Sequence, residues 1–479
     1  MASFILNDQQ VETDRPSGST LLDFVRYYKK LVGTKIGCRE GDCGACTVLV
    51  GDIENDKLVY RTMTSCLMPL GNAAGKHIVT VEGINLQSLA GKQGTTLLNP
   101  VQQALVDTNG TQCGFCTIGF VVSLTGFVLD ETTKAYEAAI AAIDGNICRC
   151  TGYKSIERAA AYITEHLNGK PKTDQLQWLV DNNFIPAYFS GIKNRLQQVK
   201  KERQSVPPVK AGNLMVGGGT DLIVQKHLQV KRSTIDHVFD VQHLKGIHLE
   251  NGKCHLGAAV TVTDFAESKI VQGFFPALMK YIKLVSSTPI RNMATFAGNL
   301  VNASPIGDMT VFFLALDASV VLSNGINKRQ VKLKDFYKSY KSTDKADDEY
   351  IESIIFIPPE KNAEFNFEKV CKRTHLDIAS VNCACLVQYN DDQTIREIYL
   401  AAGGVAPYPK YLEQTVLFLK GKSLTANILK EAIGIMNNEI APISDARGSK
   451  EYKKLLLRQL FLAHFSNKKE LLKQTLSMF

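Results

Sequence analysis

The chain contains one tryptophan, and no uninterrupted apolar run approaches the ~20 residues a membrane span needs. The nearest, FVVSLTGFVL at 120–129, is half that length, so no membrane association is expected. The opening MASFILNDQQ lacks a basic stretch followed by an apolar core and a small-residue cleavage site, so it does not read as a signal peptide. A cytoplasmic location is the expectation. The net charge of +8 is spread along the chain, with acidic residues interleaved among the basic ones. Its densest basic run, VKKER at 199–203, is short and isolated, and reads as a solvated linker helix rather than a nucleic-acid contact. The Gly-x-Gly-x-x-Gly signature is absent, which leaves a Rossmann dinucleotide site unsupported. No repeat or low-complexity tract stands out. With 45% hydrophobic and 21% charged residues, the 479 residues have a globular composition. That length is enough for three or four domains at ~100–200 residues each.

Cysteine is what the sequence has in quantity. Twelve occur, and eight of them (Cys38, Cys43, Cys46, Cys66, Cys113, Cys116, Cys148 and Cys150) lie within the first 150 residues. In a reducing compartment, clustered thiols read as metal ligands or redox groups rather than as disulfides. Cys254, Cys371, Cys383 and Cys385 lie singly or in apolar strand-like runs, and are expected to be buried structural thiols.

The first group, GCREGDCGAC, spaces Cys38, Cys43 and Cys46 as Cys-x4-Cys-x2-Cys, with Cys66 twenty residues on. This is the spacing of a plant-type [2Fe–2S] loop. Glycines at 37, 41 and 44 let the backbone wrap so that amide N–H groups point at sulfur. Zinc is the alternative for four thiolates, but its sites usually pair two Cys-x2-Cys knuckles. The second group joins QCGFC, with Cys113 and Cys116, to NICRC, with Cys148 and Cys150. Residues three apart share a helix face, so Cys113 and Cys116 can present both sulfurs at a helix start. Gly145 and Asn146 can end the preceding helix and let the turn bring the other pair opposite. Zinc remains open for this group in isolation. A thioredoxin-like dithiol would need a preceding strand and would leave Cys148 and Cys150 idle. The adjacent ferredoxin-like group favours a second [2Fe–2S] cluster.

Between residues 1 and 85, SFILN and QQVETD read as a hairpin. STLLDFVRYY reads as a helix capped by Ser19 or Thr20, and CTVLVGD with KLVYRTMTSC as paired strands. Residues 98–168 switch to helical periodicity in four short segments. A polar stretch near 168–208 has linker character, with some helix signal at 191–201. Mixed strand and helix follow from 211 to about 358, with a break at IIFIPPEKNAEF, and 365–479 ends in the amphipathic YKKLLLRQLFLAHF. LMVGGGTDL at 214–222 runs a strand into three glycines, which can bring backbone amides close to a pyrophosphate. IRNMATFAGNLVNASPIGDM at 290–309 combines small residues (Ala294, Thr295, Gly298, Asn302, Ser304) with the polar anchors Asn299 and Asp308. For either stretch alone a structural turn is the simpler reading.

The motifs CREGDCGAC…C and QCGFCTIGF…GNICRCTGY together resemble the iron–sulfur half of the molybdenum hydroxylases, the xanthine dehydrogenase/aldehyde oxidase family. The two glycine-containing stretches, in this order, resemble the FAD-binding domain of the same family. The resemblance implies two [2Fe–2S] clusters and one FAD. It implies that Val216, Gly217, Gly218, Gly219 and Thr220 cradle the pyrophosphate, with Asp221 nearby. It further implies that Ala294, Thr295, Gly298, Asn299, Val301 and Asp308 contact the flavin nucleotide. Lys369, in FEKVCKRTHLDIASV, matches the family's flavin-side lysine. His375 and Leu376 ahead of Asp377 depart from the acidic form found in some relatives, so their preference for nicotinamide or oxygen is not carried over. AAGGVAPYPK and APISDARGSKEYKKLLLRQL resemble the C-terminal domain of the purine-oxidising members.

The fold class expected is multidomain α+β. It comprises a β-grasp [2Fe–2S] ferredoxin domain over 1–87, a helical-bundle [2Fe–2S] domain over 88–168 and a linker over 169–208. An α+β FAD-binding domain of the PCMH/vanillyl-alcohol-oxidase type over 209–360 and a C-terminal α+β domain of CO-dehydrogenase flavoprotein type over 361–479 complete it. The resemblance implies an electron-transfer subunit with no catalytic residue of its own. Its large molybdopterin-binding partner subunit, in a heterotetramer, would oxidise hypoxanthine and xanthine to urate. Electrons would pass through the Cys113/Cys116/Cys148/Cys150 cluster, then the Cys38/Cys43/Cys46/Cys66 cluster, to FAD and on to NAD⁺ or O₂. Gln112 and Cys150 match positions that touch the pterin. The same role in an aldehyde- or N-heterocycle-oxidising enzyme, or a stand-alone iron–sulfur flavoprotein reductase, are the alternatives.

Overall fold

The computed structural model describes residues 2–86, 97–132, 134–202, 213–373 and 375–478. The expected boundary between the iron–sulfur domains, at 87/88, and the expected start of the flavin domain, at 209, lie outside the described residues. The chain divides into two compact units. The first holds the residues up to 208 with 213–239 and 287–294, and the second holds 240–286 and 295–479.

In the first unit, β1 (Ala2–Leu6) and β2 (Gln9–Thr13) form the expected hairpin. β3 (Thr47–Glu54) and β4 (Lys57–Thr64) pair antiparallel from Thr47↔Thr64 to Glu54↔Lys57. With β5 (His77–Val79) they make a five-stranded sheet in the order β2-β1-β5-β3-β4, the β-grasp arrangement. The short helix α1 (Leu21–Asp23), capped by the Thr20 hydroxyl on the Asp23 amide, runs on as a π-helical turn over Phe24–Tyr28. Strand side chains alternate faces, and both faces of this sheet are covered. Val48 and Val50 pack with Phe4, Leu21, Leu22 and Val25, whereas Leu49 and Val79 join the core of the helical module behind.

That module is built from α2 (Pro100–Asp107), α3 (Thr117–Leu129), α4 (Tyr136–Ala142) and α5 (Lys154–His166). Helix α2 starts on an Asn99/Gln102 capping box with Pro100 in its first turn. Helix α3 is apolar on every side, as a helix enclosed by neighbours must be, and nine of its thirteen residues are buried.

The 169–208 stretch corrects the linker expectation. It holds α6 (Gln175–Asp181) and α7 (Phe189–Glu202), whose apolar residues lie in the cores. Leu179, Phe184, Ile185 and Phe189 join the helical core, and Ile192, Leu196 and Val199 pack on Ile5 of the sheet. The basic residues of α7 are paired: Arg195 with Asp8 at 2.5 Å, Lys193 with Asp56 at 3.0 Å, and Lys200 with Asp52. Composition alone reads these polar residues as solvated, because each acidic partner is more than a hundred residues away.

The unit closes with β6 (Leu214–Val216), parallel to β7 (Ile235–His237), and the intervening α8 (Leu222–Arg232).

In the second unit, β8 (Ile247–Glu250) and β9 (Lys253–Gly257) form a hairpin. Joined by β10 (Ser319–Ser323), β11 (Lys328–Lys332) and β14 (Tyr350–Phe356), it gives a sheet in the order β11-β10-β14-β9-β8. A small hairpin, β12 (Tyr337–Ser339) with β13 (Ser342–Thr343), lies between β11 and β14 in sequence. A second, four-stranded sheet follows as β15 (Glu364–Val370), β16 (Val381–Tyr389), β17 (Ile395–Gly403) and β18 (Lys410–Tyr411). Helices Glu413–Leu419, Ala426–Glu439 and Lys450–Ala463 bury their apolar stripes on it, and the helix Lys469–Leu476 follows. Cys254, Cys383 and Cys385 are buried as expected, but Cys371 is only half-buried and bonds the Arg373 carbonyl. Among the described residues, no helix is long and apolar enough to cross a membrane.

Candidate functional site

The fold collects the eight early cysteines into two groups of four within the first unit. Cys38, Cys43 and Cys46 lie on the loop that leads into β3, and Cys66 follows β4; pairing of β3 with β4 brings Cys66 back to Cys46. The Glu40 and Asp42 amides each donate to Cys38 Sγ at 3.3 Å, and the Cys38 amide donates to Cys43 Sγ at 3.4 Å. In the second group, Cys116 is the N-cap of α3 and Cys113 lies in the turn before it. The expected shared helix face is therefore a turn instead. Cys150 Sγ lies 3.7 Å from Cys113 Sγ. Cys148 Sγ accepts from the Cys150 and Thr151 amides at 3.4 Å each and lies 3.1 Å from the Thr151 hydroxyl. The Tyr153 hydroxyl accepts from the Cys148 amide at 3.0 Å. Thr151 and Tyr153 belong to the CTGY motif, yet sequence reasoning gave them no role, because their contacts with Cys148 depend on the turn's conformation.

The electrostatics of both groups favour some thiolates at the expense of their neighbours. The Cys43 thiol, aided by nearby amides and opposed by burial, brings Cys38 down to about 5. Cys43 is in turn pushed up by Cys38 and then by burial, and Cys66 is pushed up by Cys46 and burial. Cys46 is lowered chiefly by Cys66. Burial and the Cys148 thiol push Cys116 up to about 12. At Cys148 burial opposes ionisation but is outweighed by the Thr151 hydroxyl and the amides of Thr151 and Cys150. Four thiols this close do not all ionise on their own; a multivalent cationic centre among them removes the mutual penalty. Soft sulfur donors with converging N–H groups fit an iron–sulfur cluster in each group.

The two ligand loops are joined directly. The Ile147 amide donates to the Cys43 carbonyl at 3.1 Å, and the Asn146 side chain donates to the Gly44 carbonyl at 3.3 Å. Asn146 Oδ1 also accepts from the Ser123 hydroxyl of α3 at 2.7 Å. Gly44 has φ +70°, and a Cβ there would lie 2.9 Å from Asn146 Cα, so this crossing admits only glycine without a shift. Asp144 anchors the far side of the loop. Its carboxylate accepts from Arg291 at 2.7 Å, from the Thr288 amide at 2.8 Å and from the Thr288 hydroxyl at 3.0 Å.

The first flavin motif also lies in this unit. Val216 ends β6, and Gly217 to Asp221 turn into α8, which is kinked at Lys226. The Gly217 carbonyl accepts from Asn72 at 2.8 Å, and Asn72 Oδ1 lies 2.9 Å from His237 Nδ1. The structure changes the reading of two glycines here. A Cβ on Gly218 would lie 2.5 Å from the Met293 carbonyl carbon, and one on Gly219 would lie 2.7 Å from the Leu67 carbonyl oxygen. Both glycines are demanded by the protein's own backbone, before any ligand is considered. Gly217 and Thr220, by contrast, are half-exposed. Ala294 ends the 287–294 segment.

The second motif lies in the other unit. Thr295 caps the helix Phe296–Asn302 by accepting from the Gly298 amide at 3.4 Å. Asn299 accepts from the Thr310 hydroxyl at 3.3 Å, and Val301 is exposed. Asp308 starts the helix Asp308–Leu314 and pairs with Lys369 at 2.7 Å, the lysine side chain being 1% exposed. The lysine also donates to the Leu284 carbonyl at 2.6 Å, and Asn382 donates to Asp308 Oδ1 at 2.6 Å. Asn382 Oδ1 is a buried acceptor with no donor among the described residues and lies against Gly403. Asn382 was missed from sequence, since it sits in an apolar strand with no motif around it. Asp377 is spent on its own loop, accepting from the Arg373 amide at 3.1 Å and the Ile378 amide at 2.9 Å. Leu376 has φ +52°, and His375 Nδ1 lies 3.1 Å from the Lys283 carbonyl.

The profile of a 2Fe-2S iron-sulfur cluster binding domain matches residues 4–70, and that of a [2Fe-2S] binding domain matches 80–161. The FAD binding domain in molybdopterin dehydrogenase matches 196–360, and the CO dehydrogenase flavoprotein C-terminal domain matches 367–467. The xanthine dehydrogenase of Emericella nidulans is 29% identical over 489 residues, which is 88% of this chain and 35% of that protein. The aldehyde oxidase of Homo sapiens is 24% identical over 540 residues, 98% of this chain and 39% of that protein. The chain thus spans little more than a third of the length of these relatives. A carbon monoxide dehydrogenase from Hydrogenophaga pseudoflava, described as lacking the Mo-pyranopterin moiety of the molybdenum cofactor, aligns with a TM-score of 0.49 at 25% identity. The alignment covers 51% of this chain and 85% of that one.

Two [2Fe–2S] domains followed by an FAD-binding domain define an oxidoreductase of the iron–sulfur flavoprotein class. The four domains place this chain in the molybdenum hydroxylase family, and its two iron–sulfur domains with a flavin domain fit electron transfer within such an enzyme.

Proposed function

We propose that the chain is the electron-transfer subunit of a xanthine dehydrogenase, working with a molybdopterin-bearing partner subunit and delivering electrons to NAD⁺ or O₂. The observation that carries the electron-transfer part is the direct junction of the two thiol groups through the Ile147–Cys43 hydrogen bond. When bound, the clusters supply one-electron steps and FAD gathers electrons in pairs. Cys38, Cys43, Cys46 and Cys66 hold one cluster, and Cys113, Cys116, Cys148 and Cys150 hold the other. The amides of Glu40, Asp42, Cys150 and Thr151 stabilise the thiolates, and Asn146 and Asp144 keep the second loop in register with the first. Gln112, Cys113, Phe115 and Cys150 are exposed together, which supports this face as the one turned towards the partner. Gly217 and Thr220 bind the flavin pyrophosphate, and Thr295, Asn299 and Asp308 orient the nucleotide. Lys369, fixed by Asp308, sets the charge beside the flavin ring. The domain segments of 1–87, 88–168, 209–360 and 361–479 follow this division of labour.

The xanthine assignment is supported by relatives carrying that name at 88–96% coverage of this chain. Aldehyde oxidases at 98% coverage support the second reading, the same role in aldehyde oxidation. The native complex, purified and mixed with xanthine under argon, should bleach both cluster and flavin absorbance, and NAD⁺ should restore it. Bleaching by an aldehyde but not by xanthine would transfer the assignment to aldehyde oxidation. A chain active alone as a reductase, with no copurifying molybdenum subunit, would overturn the subunit role.

A further inference from the structure

We propose that the β8–β9 hairpin carries a binding site for one divalent transition-metal ion, held by His248, Glu250 and His255. The segment reads IHLENGKCHLG, and its two-residue turn, Asn251 and Gly252, has φ of 49° and 75°. Asn-Gly turns with both φ positive match strand twist and fix hairpin register. In this register His248 stands opposite His255, and Glu250 opposite Lys253. Residues two apart on a strand share a face, so all four lie on one side of the hairpin.

The two imidazoles stack with centroids 5.2 Å apart and 14° between their planes. His255 Nε2 lies 3.9 Å from Glu250 Oε2, and one ligand atom from each of the three residues lies within 4.8 Å of the others. Around a tetrahedral zinc with bonds of ~2.0–2.2 Å the ligand atoms sit roughly 3.4 Å apart. Closing from the present spacing takes about 1.5 Å, a movement that rotation of side-chain χ angles provides without backbone change. His248 and Glu250 are exposed and His255 is half-buried, so the rotations are unobstructed by a core.

Two imidazole nitrogens with one carboxylate suit zinc, nickel or copper, while magnesium and calcium prefer all-oxygen shells. A fourth position is left to water. Lys253 is an adverse charge on the same face. These residues belong neither to the cysteine groups nor to the two flavin motifs.

The test uses the purified iron–sulfur flavoprotein dialysed against low-micromolar zinc, with metals counted by mass spectrometry and cluster absorbance followed. One zinc per chain beyond the iron, with the absorbance unchanged, is expected. His255→Gln should weaken zinc affinity at least tenfold while leaving the metal-free melting temperature unchanged. Lys253→Glu, which swaps a repelling charge for a fourth donor, should tighten it severalfold. No zinc uptake by the wild type, or uptake unaltered in both variants, overturns the proposal.

Discussion

Gly218→Ala tests whether the glycine-rich turn is dictated by the fold or by a ligand. A methyl group there would lie 2.5 Å from the Met293 carbonyl carbon and 3.2 Å from its Cα, well inside ordinary contact. The obstacle is backbone and cannot rotate away. Relief requires the 287–294 segment to move by about 1 Å. That segment is held by the Asn292 side chain on the Thr62 carbonyl at 2.8 Å, and Met293 is 1% exposed in the core. Overpacking costs roughly 1–3 kcal/mol where side chains yield, and more where backbone must move. About 3–4 kcal/mol is therefore expected, or on the order of 10 °C in melting temperature for a unit of this size. Gly191, in α7, is the control: a Cβ there meets nothing within 4 Å, so Gly191→Ala should stabilise by about 0.5–1 kcal/mol. Thermal unfolding followed by circular dichroism, on protein stripped of flavin and on the flavin-loaded form, separates the causes. A loss present in both forms is expected. If stripped Gly218→Ala melts with the stripped wild type and only flavin binding fails, the carbonyl contact is not what demands glycine.

Three further outcomes are expected. Cys113→Ser should lower iron from about four to about two atoms per chain and remove one of two cluster signals in electron paramagnetic resonance, with FAD retained; four irons in the variant would refute the ligand set. Asp308→Asn should destabilise the second unit by about 3 kcal/mol, because it leaves the buried Lys369 charge without its counter-charge; Lys369→Met added to it should recover most of the loss, as read from denaturant midpoints. His77 in the first unit is lowered to about 4 and His464 in the second to about 3, both by burial, against an unfolded value near 6.5. Their neutral forms contribute full stability above pH 6.5, and this is lost as pH falls towards the folded values. Each group should thus cost about 2 kcal/mol between pH 7 and pH 5, and His77→Gln should flatten that slope in the first unit if burial is the cause.

Local elements and the two groups of clustered cysteines were legible in neighbouring residues. The short apolar runs SFILN, CTVLVGD and KLVYRTMTSC became β1, β3 and β4, and the longer apolar TIGFVVSLTGFVL became α3, because run length and the turns that bound each run are written in neighbouring residues. The cysteine spacing likewise marked both groups. The remaining features rest on partners far apart in the chain and emerge only on folding. Within the polar stretch read as a linker, α6 and α7 proved to be packed helices, and the charges of α7 meet Asp8, Asp52 and Asp56. Gly218 is glycine because of Met293, and Asn382 stands beside Asp308 because strand and helix meet there. The two thiol groups are joined because Asn146 and Ile147 reach Cys43 and Gly44 from a hundred residues away. Such contacts leave no mark on local composition: a hydrogen bond or a close approach is set by where two surfaces meet, and that is fixed only when the cores pack.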